Sequence, residues 1–422
     1  MLNISMKKKY VLIFFILMFA LMLFNNFLKS IYMHMLSSPR RMQTVTNKEY
    51  IPPQKLFDKS WKIIKKSYYD KNLNEQDWYY WKLHYQGKIK TEDDAYVAIN
   101  TMLESLNDPY SKFLSKKEYE DLNSSIDSKI TGIGVNIFSN AGKIYILNVI
   151  EGTPASTSGI KTGDIIFAVD KKEVSGMSIS DVASMVRGPE NNVVEITLLR
   201  NGKKITKSIK RKEIKIKTVK SSVDKNIGYI QILSFIGMST TNEFVQALEK
   251  TEKTDGLILD LRGNPGGLLP NAIFIANLFI PDGKIVSVIG RNGSKQDFNA
   301  QDIKYTVNKP LVVLIDHSSA SASEILSGAL KDYNKAKLIG TTTYGKGMVQ
   351  EVLPLPNETG LNLTIAKYLT PKGNDINKKG IKPDIEVELT MDDFKKNHDS
   401  QLEVAKKVIN EKIKSEQKNP TY

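Results

Sequence analysis

No cysteine occurs among the 422 residues, and histidine occurs only four times. The first absence excludes disulfides, thiol catalysis and thiolate metal sites, and the second leaves too few imidazoles for a zinc site. No metal and no cofactor is therefore expected, and the chemistry has to come from oxygen and nitrogen groups. Charge is not lacking: 60 Lys and Arg against 46 Asp and Glu give a net charge of +14. The lysines are nevertheless spread along the chain without an aromatic-interleaved basic motif, which argues against nucleic acid as a partner. The apolar content is that of a globular protein, and the length suffices for two or three domains with full cores.

The scarcity of histidine bears directly on the most informative segment of the chain. Ala320-Ser321-Ala322-Ser323-Glu324-Ile325 is followed by Gly345-Lys346-Gly347 and Gln350, so that Lys346 stands 25 residues after Ser321. A serine hydroxyl attacks a carbonyl only if a neighbour removes its proton, and the usual neighbour is a histidine held by a carboxylate. Here His34 and His84 lie far upstream, His398 sits in a charged tail, and His317 precedes Ser321 by one helical turn on the same local segment. None of them makes a convincing base. A lysine serves instead if burial and nearby positive potential keep it neutral, because desolvation disfavours its charged form. Ser323 is a second candidate hydroxyl in the same run.

At the N-terminus, Lys7-Lys8-Lys9 precedes the apolar stretch Val11 to Phe24, and Asn25-Asn26-Phe27-Leu28-Lys29 follows it. The stretch suits a signal region, yet no small-x-small cleavage site follows, so residues 1–30 are read as an uncleaved signal anchor. Lysines ahead of an apolar segment keep that end cytoplasmic and place the remainder outside the membrane. Cleavage of the segment would give a secreted protein instead.

From about Asn47 to Asn123 apolar residues recur at helical spacing, as in Leu56, Trp61, Ile64 and Tyr68, until Asp108-Pro109-Tyr110-Ser111 interrupts with turn chemistry. Residues 31–127 are taken as a helical N-terminal region. Between 128 and 210 the texture changes to short β-branched runs punctuated by glycine, with Asn201-Gly202 as a hairpin turn. There, Glu151-Gly152-Thr153-Pro154-Ala155 and Gly159 to Ile166 resemble the corresponding stretch of PDZ domains. The resemblance implies that Thr131-Gly132-Ile133-Gly134-Val135 is the loop whose backbone N–H groups receive a peptide's C-terminal carboxylate while the next strand pairs with the peptide.

Beyond about Val219, strand patterns alternate with helical ones, which predicts a mainly α/β layered core over 211–390. The fold class is thus a multidomain α+β and α/β protein: helical N-terminal domain, PDZ β-module and α/β catalytic core. Ser321 falls where a strand hands over to a helix, whose free N–H groups and positive end would stabilise an oxyanion. A glycine-rich stretch, Asp260-Leu261-Arg262-Gly263-Asn264-Pro265-Gly266-Gly267-Leu268-Leu269, follows another strand; with no Gly-Lys-Ser/Thr it is not a phosphate loop. Residues 391–422 form a charged helical tail whose amphipathic positions Leu402, Ala405, Val408, Ile409 and Ile413 suit either a homodimer or docking on the chain's own core.

In order and spacing these segments resemble the C-terminal processing peptidases, serine endopeptidases that carry a PDZ domain. The likeness runs from about Trp61 to Leu402 and includes Asp108 to Ser111, Asp260 to Leu268, Ser321 to Ile325, Tyr344 to Gly347 with Gln350, and Gly380 to Ile385. It implies Ser321 as nucleophile, Lys346 as base and Gln350 as the residue orienting the lysine. It further implies oxyanion donors at the Ala322 N–H and a glycine of Gly266-Gly267, and protein or peptide substrates with accessible C-termini. Asp316-His317-Ser318 departs from the asparagine and glycines usual there, which touches loop packing beside the nucleophile. Two other classes remain. A peptide-capturing protein without catalysis would be expected to lose Ser321 or Lys346, and a scaffold acting through the PDZ module alone would not need the second glycine-rich loop.

Overall fold

Gly256–Asp260 and Leu311–Ile315 are buried along their whole length, as near-continuous apolar runs require when both faces of a parallel sheet are covered. They are the central strands of a six-stranded sheet in the order Val219–Asp224, Ile227–Ile232, Gly256–Asp260, Leu311–Ile315, Lys337–Gly340, Ile385–Glu386. From Ile227–Ile232 onward every neighbouring pair is parallel. The computed structural model describes residues 49–418 apart from 127–128, 141, 216, 304–305 and 397. The apolar segment Val11 to Phe24 lies outside the described residues. Among those described, no helix is long and apolar enough to cross a membrane.

The described chain makes two compact units: residues up to Tyr119 with Ser221–Phe235 and from Phe244 onward, and Glu120–Lys220 with Ile236–Glu243. In the first, the helices Pro53–Ser67, Trp78–Tyr85 and Glu92–Glu104 are started by a proline at the first helical position, an Asp77 cap and a Thr91/Asp94 capping box. Their apolar faces do not close on one another alone. Leu56, Phe57, Ile64, Ile99 and Met102 share a core with Leu355, Leu361 and Leu363 of the chain's second half. The last two belong to Gly360–Leu369, the hub of an antiparallel sheet that pairs with Lys112–Leu114, Lys284–Gly290 and Met348–Pro354.

The tail does not protrude. The helix Ser400–Lys418 buries Ala405, Ile409 and Ile413 against Ile227, Ile258, Val312, Leu314 and Ile339 of the parallel sheet. Of the two uses for that amphipathic face, docking on the chain's own core is the one found. Gly256 makes room for it, since a Cβ there would meet Ile409 and Ile413 at 2.8 and 2.9 Å.

In the second unit an antiparallel sheet runs Val135–Asn140, Lys143–Val149, Ile165–Val169, Val193–Arg200, Lys203–Lys210, with Lys172–Glu173 beside Ile165–Val169. Its hairpin at Asn201-Gly202 has φ of 51° and 75°, the two positive values of a tight primed turn. Ile144, Ile146, Ile166, Val194, Ile196 and Leu198 alternate into one core with Val182 and Val186 of the helix Ile179–Val186. Val135–Asn140 ends this order as an edge strand.

Candidate active site

The strand Leu311–Ile315 passes to the helix Ala322–Asp332 through a turn whose residues are short polar ones for a reason. The Asp316 carboxylate accepts the N–H groups of Ser318 and Ser319 at 3.0 Å and that of Gly263 at 3.0 Å. Ser319 donates its hydroxyl to the carbonyl of Leu261 at 2.8 Å. The segment Asp316-His317-Ser318 thus ties the turn before Ser321 to the glycine-rich loop, and His317 is exposed on that turn. Ser321 itself stands at the helix N-cap with φ 55° and ψ −112°, a left-handed conformation that a non-glycine residue holds only when its surroundings impose it.

Those surroundings are Glu324 and Tyr368. The buried Glu324 carboxylate takes four hydrogen bonds: Oε2 accepts the N–H groups of Ser321 at 2.8 Å and Lys346 at 2.9 Å. Its Oε1 accepts the Gly345 N–H at 2.8 Å and the Thr343 hydroxyl at 2.6 Å. One oxygen therefore joins the backbones of Ser321 and Lys346. Tyr368, also buried, donates to the carbonyl of Ser321 at 3.2 Å.

The glycine-rich loop comes against the same point. A Cβ on Gly266, whose φ is 98°, would lie 2.6 Å from the Ala320 carbonyl oxygen, 2.8 Å from Ser321 Cβ and 2.9 Å from the Ala322 nitrogen. Only glycine permits that approach. The Gly266 N–H is spent on Asn264 Oδ1 at 2.9 Å, whereas the N–H groups of Gly267 and Ala322 bond to no protein group among the described residues. Asn264, fully buried, fixes the loop: its Nδ2 donates to the Ile232 carbonyl, and its own carbonyl accepts the Ala320 N–H and the Ser323 hydroxyl, both at 3.0 Å. The Ser323 hydroxyl is thereby committed to structure.

Lys346 is half-buried, and burial pushes its ammonium below the ordinary lysine range, partly opposed by the charges of Asp108 and Glu324. Its flanking glycines are backed by the turn at 376–380: a Cβ on Gly345 would meet the Gly380 and Lys379 nitrogens at 2.9 Å, and one on Gly347 would meet Asn377 at 2.8 Å. Gln350, on Met348–Pro354, is half-buried and donates through Nε2 to Thr364 Oγ1 at 3.3 Å.

Ser321, Ala322, Gly266, Gly267 and the Lys346 loop thus converge in one unit. The residues of 131–135 belong to the other, where Thr131 and Gly132 pair with Glu213 and Lys212. Ile133 is buried, and Thr153 occupies the space a Gly134 side chain would need. The Ile133 and Gly134 carbonyls accept the Ala155 and Ile150 N–H groups, while their own N–H groups bond to nothing among the described residues. Sequence reasoning does not identify Glu324 and Asn264 as organisers of the site. Glu324 had a signal, since Ser-x-x-Glu at a helix start is a capping pattern; Asn264 had none beyond its place among glycines.

Residues 226–387 match the model of peptidase family S41, and residues 145–200 match a PDZ domain. The chain is 35% identical over 353 residues to a carboxyl-terminal-processing protease of Synechocystis sp., covering 81% of this chain and 82% of that protein. It is 42% identical over 307 residues to the carboxy-terminal processing protease CtpA of Bacillus subtilis, covering 71% and 66%. Among solved structures, the photosystem II D1 C-terminal processing protease superposes with a TM-score of 0.56 at 31% identity, covering 80% of this chain and 94% of that one.

Proposed function

This chain belongs to the C-terminal processing peptidases of family S41, serine peptidases with a PDZ domain, and from that premise we propose that Ser321 and Lys346 are its catalytic dyad. The observation that carries the reading is the shared Glu324 oxygen, which holds both residues' backbones at one point beside Gly266. Neutral Lys346 takes the Ser321 proton as Oγ bonds to the scissile carbonyl carbon. The carbonyl oxygen becomes an oxyanion received by the N–H groups of Ala322 and Gly267 at the helix's positive end. The Lys346 ammonium then protonates the leaving amine as the C–N bond breaks, and a water deprotonated by Lys346 releases the acyl group from Ser321. Gln350 would hold the lysine amine through its side-chain carbonyl.

Substrates are proteins or peptides, and the PDZ module is the element that recognises their free C-termini. The edge of Val135–Asn140 and the N–H groups of Ile133 and Gly134, all without partners among the described residues, support this reading. Capture of a tail raises its effective concentration near Ser321. Residues 1–30 anchor the enzyme with its catalytic part outside the cytoplasmic membrane, and N-terminal sequencing that begins near residue 30 would refute the anchor. A homodimer through the tail loses its support, because that apolar face is already buried. The proposed domains are the helical N-terminal region 31–127, the PDZ domain 128–210, the catalytic core 211–390 and the charged helical tail 391–422.

The test of the dyad is hydrolysis of an unfolded model protein by Ser321→Ala and Lys346→Ala. Both are expected to be folded and inactive, and full activity in either removes the dyad.

A further inference from the structure

The turn Asp108-Pro109-Tyr110-Ser111 has so far only a structural use. Asp108 accepts the Tyr110 N–H at 3.0 Å and the Ser111 hydroxyl at 2.6 Å, and Ser111 Oγ accepts the Thr364 N–H at 3.0 Å. Asn362 donates to the Tyr110 carbonyl at 2.9 Å. The turn is therefore fixed on the strand Gly360–Leu369 from both sides, and this fixing aims one side chain. The Tyr110 ring lies with Lys346 Nζ over it, 4.8 Å from the ring centroid.

A lysine base has two demands that conflict. At rest it must be neutral, and after taking the serine proton it must be a cation that the site tolerates. A carboxylate in direct contact would satisfy the second demand and defeat the first, since an adjacent negative charge holds an amine protonated. An aromatic face meets both. It is apolar, so it contributes to the desolvation that keeps the amine neutral, and its quadrupole attracts a cation far less strongly than a carboxylate does.

We propose that Tyr110 is a positioning residue for the reaction, its ring face seating the Lys346 ammonium that forms as Ser321 is deprotonated. The proposal deepens the Ser321–Lys346 reading and rests on it. No bond is made to the ring; the proton passes from Ser321 Oγ to Lys346 Nζ and on to the leaving amine as before. The charged groups acting on this lysine are Asp108 and Glu324, which favour its ammonium form; Tyr344 acts on the ring instead, its hydroxyl meeting that of Tyr110. Burial first, and then Tyr344, push the Tyr110 phenol up to about 12, so it stays neutral across the working range. Buried Tyr368 stays neutral as well.

The test varies the ring face at constant shape in the full chain. Phenylalanine, 3,5-difluorophenylalanine and 3,4,5-trifluorophenylalanine are placed at position 110, and kcat is followed against pH together with the thermal midpoint. Each added fluorine drains the face of negative charge and weakens the attraction for the ammonium. The acid limb, where Lys346 deprotonates, should move stepwise to lower pH, and the alkaline plateau should fall by about two- to tenfold over the series. Tyr110→Leu, which keeps apolar cover without a π face, should behave as the trifluoro ring does. A limb and plateau that stay flat across the series overturn the proposal, even if Tyr110→Leu is impaired, because the ring would then be cover alone. Active Lys346→Ala would instead remove the dyad on which the proposal rests, so the two failures are distinct.

Discussion

Replacing Glu324 with glutamine tests whether one buried carboxylate assembles the site. The substitution keeps shape and removes one acceptor oxygen with the charge. Whichever way the new amide turns, its NH2 faces two former donors: the N–H groups of Ser321 and Lys346, or the Gly345 N–H and the Thr343 hydroxyl. Two bonds to a charged acceptor are lost at about 1.5–3 kcal/mol each, so a stability loss of about 3–6 kcal/mol is expected. Against a typical total of about 5–15 kcal/mol the fold should survive at low temperature. A displacement of the nucleophile or of the lysine by about 1 Å costs a hundredfold in rate, which sets the expected fall in kcat. Glu324 also favours the Lys346 ammonium, so without its charge the acid limb of the pH profile should move to lower pH. The assays are urea denaturation, cleavage of an unfolded model protein across pH, and covalent labelling of Ser321 by a fluorophosphonate. A Glu324→Gln enzyme with unchanged stability, rate and limb would refute the reasoning.

Gly266→Ala should fold yet lose at least about a hundredfold in kcat, because its methyl would occupy space 2.8 Å from Ser321 Cβ; steady-state rates check this. Activity of the unmodified enzyme should rise with pH through a limb below the ordinary lysine range, since burial depresses Lys346 and the proposed dyad needs its neutral form to accept the serine proton. A limb that His317→Ala abolishes would speak for histidine. Gly134→Ala should erase any preference for a free over an amidated substrate C-terminus, because Thr153 already fills the space of the added methyl; paired substrates differing only in the amide decide it. Arg262→Met should cost about 3–5 kcal/mol by leaving buried Asp260 unpaired, measured by denaturation, and it would also free Asp399 at the start of the terminal helix.

Most of this protein's chemistry is written in short stretches. The apolar runs at 257–261 and 311–315 state their own burial, and Asn201-Gly202 states its turn. The spacing of Ser321, Lys346 and the glycines is a local record that survives without coordinates. Those patterns are legible because backbone conformation and period depend on neighbours a few residues away. What the pattern left open is equally specific. The amphipathic face around Ala405 and Ile409 is equally compatible with a partner chain or with the sheet holding Ile258 and Val312, and only packing chose the sheet. Gly266 and Gly267 read alike as donors until Asn264 Oδ1 took the Gly266 N–H. Glu324 looked like a helix cap, and the fold made it the joint between two residues 25 positions apart. The sequence alone therefore determined which segments form the elements and offered the groups proposed to carry the chemistry. The tertiary structure decided which hydrogen-bonding groups remain free for substrate, because a donor's availability depends on distant acceptors that no local pattern records.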